Sequence, residues 1–161
     1  MAEQDNGAGE QPGPGARALA IGAQYIKDLS FENPRAPQSL MQQQQPEVAV
    51  NVDAKAQVLG QNVYEVILGI KAEAKLGNDP LFVVELAYGA VVTLQNVEQE
   101  AIPIALLVEA PRLIFPFARA ILANAVRDGG FPPLLLNPID FADLLRRQQA
   151  QAQGGGITAT A

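Results

Sequence analysis

Asp140 and Asp143 stand three residues apart near the end of the 161-residue chain. On a helix that spacing puts two carboxylates on one face, an arrangement from which acid–base chemistry can be built. The neighbouring residues give a simpler reading. Asn137-Pro138-Ile139-Asp140 has the pattern of a helix start, with Asn137 as the cap, Pro138 as the first helical residue and Asp140 as a favourable first-turn charge. Arg146 and Arg147 then suit the opposite end of the dipole, and Phe141, Leu144 and Leu145 form the apolar side. The chain has no His and no Cys. The commonest general base, the commonest metal ligand, thiolate nucleophiles and disulfides are therefore excluded. Gly129-Gly130 is followed by no Lys-Ser/Thr pair, so it is a helix stop and not a phosphate loop. With no nucleophile elbow and no metal-ligand cluster, the chain implies no cofactor and does not read as an enzyme.

The remaining acids lie in alternating segments. Asp28 and Ser30, continued by Glu32, oppose Tyr25, Leu29 and Phe31 over residues 24–31. Val83 and Glu85 oppose Phe82, Val84, Leu86 and Tyr88. Val48, Val50 and Val52 oppose Asn51 and Asp53, and a further alternation runs from Tyr64 to Leu76. Period-two patterning of this length indicates half-buried antiparallel strands. Gly60-Gln61-Asn62 and Gly77-Asn78-Asp79-Pro80 are turns too short for anything but hairpins. Asn33-Pro34-Arg35-Ala36-Pro37 ends the first strand, and residues 38–46 form a polar loop carrying Leu40, Met41 and four glutamines.

A long apolar helix follows, starting at Pro111 or near Pro116 and ending at Gly129-Gly130. On a helical wheel Arg112, Arg119, Ala123 and Arg127 share a stripe, with Ile114, Phe117, Ile121 and Ala125 opposite. An ordinary surface helix is apolar over an arc of about 100° or somewhat more. This one is apolar over most of its circumference and wants a second apolar neighbour, for which another subunit is a natural source. Phe131-Pro132-Pro133 must be extended. The fold class is therefore α+β: a four-stranded antiparallel sheet, a long helix and a short C-terminal helix. Residues 1–22 are expected to be a disordered tail, 23–147 one domain, and 148–161 a flexible tail.

A formal net charge of −6 disfavours nucleic-acid binding. No export-signal pattern occurs, and no uninterrupted apolar run reaches about 18 residues. The expectation is an intracellular protein with no direct membrane insertion.

Several of these segments resemble one family. Tyr25 to Pro34 (YIKDLSFENP), Gln45-Pro46-Glu47-Val48, Val63-Tyr64-Glu65-Val66, Glu85 to Gly89, Pro111 to Arg119 (PRLIFPFAR), Gly130 to Leu134 and Pro138 to Phe141 are similar to the SecB family of protein-export chaperones, in the same order. The resemblance implies a cytoplasmic bacterial homotetramer, a dimer of dimers with the long helices between dimers. It implies ATP-independent holding of unfolded precursor proteins and their delivery to the SecA motor, or, alternatively, general holding for another partner. It places motor docking at Asp28, Glu32, Val83 and Glu85, where charge would steer a basic partner, although acids on a sheet face can equally be mere solvation. It places client binding at Leu40, Met41, Val48, Val50, Val52, Phe141 and Leu145, although each valine can equally belong to the core. Two departures stand out: Gln44 replaces the family's frequent Trp, with Met41 available as a substitute, and the tail from Gln148 carries no acid.

Overall fold

The computed structural model describes residues 13–154. Its four strands are β1 (Ala18–Glu32), β2 (Glu47–Gly60), β3 (Val63–Leu76) and β4 (Asp79–Gln95). They form one antiparallel sheet in the order β1-β4-β3-β2, so the first two strands in sequence are the two edges. β2 to β3 and β3 to β4 are tight hairpins. Asn62 and Gly77 adopt positive φ at their turns, a conformation that Asn and Gly tolerate. The connection from β1 to β2 must cross the sheet, and its long loop does so. Ser39 is buried there and donates to Asn33 Oδ1 at 2.8 Å, while Asn33 Nδ2 donates to the Gly129 carbonyl at 3.1 Å.

β1 begins earlier than its alternation suggests, at Ala18, so residues 18–22 are strand and not tail. Its alternation is also broken twice. One extra residue separates Ile21 from Gln24, and another separates Ile26 from Asp28, relative to β4. Each such bulge flips the facing of the residues beyond it. Tyr25 therefore shares a face with Asp28, Ser30 and Glu32, and not with Leu29 and Phe31 as uninterrupted alternation predicts.

The long helix starts before Pro111. A continuous helical stretch covers Gln99–Asp128; it opens with a 3-10 turn, Gln99–Ala101, and Pro103 lies in the first α-helical turn after it. A wide π-type turn, Ala105–Glu109, precedes the regular segment Ala110–Asp128. Pro111 explains the wide turn. It has no N–H to bond the Leu107 carbonyl, and its ring needs that carbonyl moved aside. The helix ends where Gly129 caps it and Gly130 takes φ +95°. Although long and apolar enough to cross a bilayer, it lies against the sheet. Ile114, Ala118, Leu122 and Val126 are fully buried in the core with Val66, Leu68, Val84 and Val92.

The second apolar neighbour comes partly from the same chain. Phe141 of the C-terminal helix (Phe141–Gly154) is 1% exposed, and its ring meets Phe115 edge-on at 6.0 Å. The open arc of the long helix instead carries Leu113 and Phe117, each about half exposed, with Arg112, Ala120 and Arg127 beside them. Ala123 is buried and Arg119 half-buried, so only the two ends of the arginine stripe, Arg112 and Arg127, reach solvent freely.

The C-terminal helix also starts later than Asn137-Pro138 suggests. Residues 132–140 have no regular structure, and the cap is Asp140, whose Oδ1 accepts the Asp143 N–H at 3.0 Å. Asp143 pairs with Arg146 at 3.1 Å and with Arg147. The Arg147 guanidinium holds its carboxyl below the usual carboxylate range. Both acids are thus engaged at the helix start. The helix extends to Gly154, so residues 148–154 are helical and not a loose tail. The expectations for residues 1–12 and 155–161 lie outside the described residues. Removing a side-chain cap costs about 1 kcal/mol. Asp140→Ala should lower stability in urea unfolding by about that amount, whereas Asn137→Ala should change it by less than about 0.5 kcal/mol.

Candidate binding surfaces

The pleat divides the sheet into an inner face, under the helix, and an outer face. Directly paired residues project to the same side. Glu32 pairs with Val83, Ser30 with Glu85 and Asp28 with Ala87. All four expected docking residues therefore lie together on the outer face, in a block roughly 14 Å long at about 3.4 Å per residue. On its other side Glu85 pairs with Lys71, and Lys71 Nζ sits 3.3 Å from Glu85 Oε1. Exposed pairs of this kind contribute about 0–1 kcal/mol, so the pair leaves Glu85 available to a competing cation.

The same face holds one buried acid. Glu65 on β3 is 8% exposed and accepts hydrogen bonds from Tyr25 Oη, Lys27 Nζ at 2.8 Å and Gln57 Nε2 at 2.7 Å. Tyr25 is on β1 and must cross β4 to reach β3. Its ring lies over Gly89, where an added Cβ would come within 2.4 Å of Cε2. The Lys27 and Tyr25 hydrogen bonds, in that order, hold Glu65 below the ordinary carboxylate range. Burial, followed by the Glu65 contact, pushes the Tyr25 phenol up to about 12.

The inner face leaves its margins open. β4 and the middle of β3, from Val66 to Ala74, present buried side chains there, but Val48 and Val50 on β2 are 41% and 39% exposed. Opposite them runs the extended segment after the long helix. Val48, Val50 and Val52 line one wall of a groove, and Leu134, Leu135 and Ile139 line the other. The groove continues past Leu40, the glutamine loop and Phe131 into a hollow of about 520 Å³, within the range of ordinary ligand pockets. At its other end it passes Leu144, Gln148 and Gln151 of the C-terminal helix.

A family model described as "Preprotein translocase subunit SecB" matches residues 13–152. The protein-export protein SecB of Rhodopseudomonas palustris (strain TIE-1) is 50% identical over 152 residues, covering 94% of this chain and 97% of that one. That of Bradyrhizobium sp. (strain BTAi1 / ATCC BAA-1182) is 51% identical over 156 residues, covering 94% and 96%. The chain belongs to the SecB family. Among solved structures, a Mycobacterium tuberculosis SecB-like chaperone in complex with a ChAD peptide from an antitoxin shares the fold. Its TM-score is 0.59 at 12% identity, covering 75% of this chain and 90% of that one.

Within this SecB fold, the expected groove residues divide. Leu40, Val48, Val50 and Val52 line the groove. Phe141 does not: it is core, because Phe115 covers it. Leu145 is half-buried against the core, and Met41, 77% exposed, points away from the lining. The sequence pattern did not single out Leu134, Leu135 and Ile139. A leucine run in a chain forced to be extended must show alternate side chains to opposite sides. Leu135 is accordingly exposed and Leu136 buried. Of the expected interface residues, Ile114 is fully buried within the protomer, Ile121 and Ala125 are half-buried, and Phe117 is open.

The Tyr25 shift has a definite sign. A phenol raised above its ordinary value of 10.0 stabilises the fold below pH 10, and that contribution disappears as pH rises through about 12. Ultraviolet titration should show one of the three tyrosines ionising near pH 12, and Tyr25→Phe should remove that step. Retention of the step would place the shift elsewhere.

Proposed function

We propose that this SecB-family chain is a cytoplasmic, ATP-independent export chaperone that holds unfolded precursor proteins and delivers them to the SecA motor. It acts by binding and not by catalysis. The groove along β2 carries this reading. It is apolar on both walls, open to solvent in its middle and rimmed by polar glutamines. Burying apolar surface contributes roughly 25 cal/mol per Å² whatever the sequence that supplies it. Such a groove therefore favours extended, greasy segments that folded proteins do not display. Val48, Val50 and Val52, with Leu134, Leu135 and Ile139, form its client-contacting walls, and Leu40 closes one end.

The outer-face block of Asp28, Glu32, Val83 and Glu85 is the motor-docking site. It faces away from the groove, so a client and the motor can be bound together. That separation is what a hand-over requires. Assembly as a homotetramer, a dimer of dimers, accounts for the apolar surface that one protomer leaves open. Leu113, Phe117 and Ile104 on the long helix are each at least half exposed, and Ile26 and Leu29 are partly exposed on the β1 margin. Phe117 takes the interface role, with Leu113 in place of the buried Ile114.

Titration calorimetry against the motor and against a reduced, alkylated protein separates the two surfaces. Asp28→Arg with Glu85→Arg should weaken motor binding about tenfold or more and leave client binding within twofold. Val50→Asp should do the reverse. Light scattering of the same samples should give a four-protomer mass, reduced by Phe117→Asp. Equal losses of both activities in either variant, or a monomer that ignores non-native protein, would overturn the proposal.

A further inference from the structure

Asp28 and Glu32 face outward only because β1 carries one extra residue between Ile26 and Asp28, opposite the Tyr88–Ala87 step of β4. Without that bulge, and with Tyr25 still paired to Gly89, the next residues shift by one. Leu29 and Phe31 would then point outward, and Asp28 and Glu32 toward the helix. β1 is an edge strand, so β4 alone supplies the pairing that holds its frame. Edge strands slip most readily where little specifies the register. The extra residue is Lys27. Its Nζ ends on Glu65 Oε1, and Tyr25, two residues earlier, ends on Glu65 Oε2. Both side chains cross β4 to a single buried carboxylate on β3, and the missing side chain at Gly89 makes room for the Tyr25 ring. Gln57 reaches the same carboxylate from β2. One acid is thereby tied to every other strand of the sheet except β4, over which Tyr25 lies.

We propose that Glu65, with Tyr25 and Lys27, forms a clasp that fixes the bulge in β1 and so presents Asp28 and Glu32 to the partner that docks on the outer face. These are positioning residues. They need not touch the partner, and they act through the frame of the strand. The proposal rests on the docking role given above to Asp28, Glu32, Val83 and Glu85. The groove lies on the opposite face and at the far edge, so the clasp leaves client binding alone.

A double-mutant cycle with calorimetry against the SecA motor tests this, using the full chain. Glu65→Ala should weaken motor binding about five- to tenfold, while client affinity changes by less than twofold. Tyr25→Phe, the gentler change, should give a smaller loss in the same direction and serves if Glu65→Ala does not fold. Amide exchange at residues 26–29 should quicken in both. The deciding comparison is in an Asp28→Arg/Glu32→Arg background. If the clasp works through those two acids, adding Glu65→Ala there costs under twofold, since coupled residues are not additive. An undiminished loss in that background, a parallel fall in client binding, or no loss in the native background would overturn the proposal. If Asp28→Arg/Glu32→Arg itself leaves motor affinity unchanged, the docking assignment fails and the clasp's role fails with it.

Discussion

One helix is narrower than the sheet it must cover. Four strands about 4.8 Å apart put the outer two roughly 14 Å from each other, whereas a helix with its side chains is about 10 Å across. The long helix therefore seals β4 and most of β3, whose inner side chains are buried from Val66 to Ala74, and leaves the inner sides of β1 and β2 partly bare. The pattern of apolar exposure comes from this mismatch. Val48 and Val50 are uncovered on one margin, Ile26 and Leu29 on the other. The two margins then diverge. Beside β2 the chain returns after Gly130 as an extended segment with a leucine wall of its own, and the gap between wall and strand becomes a groove. Beside β1 no such segment returns among the described residues, and the open apolar surface is continuous in kind with Leu113 and Phe117 on the helix.

Strand periodicity divides the labour. Alternate residues of one strand serve opposite purposes, so the polar side of the sheet is free to carry the acid block and the Glu65 clasp. This arrangement needs an accurate register, because a slip of one residue would exchange the two sides. The sheet holds its register with tight hairpins between β2, β3 and β4, and with the Tyr25–Glu65–Lys27 contacts for β1, the strand that has no hairpin.

The strands, the helix and the acids on the polar side of the sheet were legible because period two and period 3.6 are direct consequences of backbone geometry. Three things were not. The second bulge in β1 leaves no local mark, unlike the first, which holds Gly22: Lys27 is an ordinary strand residue, and the reason for its bulge, Glu65, lies in another strand. Proline misled twice. Pro111 reads as a helix start, but the helix tolerates it through the wide turn at Ala105–Glu109, and Pro138 precedes its helix by three residues because Asp140 is the cap. The third was the cover on the long helix. Its wheel shows excess apolar surface, but the wheel cannot say that Phe141 of the same chain covers Phe115, nor that Ile114 is on the side turned to the sheet, and both Phe141 and Ile114 prove to be core. The groove was half visible: its valine wall comes from alternation, and its leucine wall depends on where the extended segment returns.

The central claim is that non-native chains bind at the uncovered β2 margin and not on the polar side of the sheet. Methyl NMR of the chain, with and without a reduced, alkylated protein, reads both sides in one spectrum. The account predicts shifts at the methyls of Val48, Val50, Leu134, Leu135 and Ile139, with Val83 and Val91, the outer-face β4 residue paired with Glu65, unmoved. Shifts concentrated at Val83 and Val91, with the β2 valines silent, would contradict it.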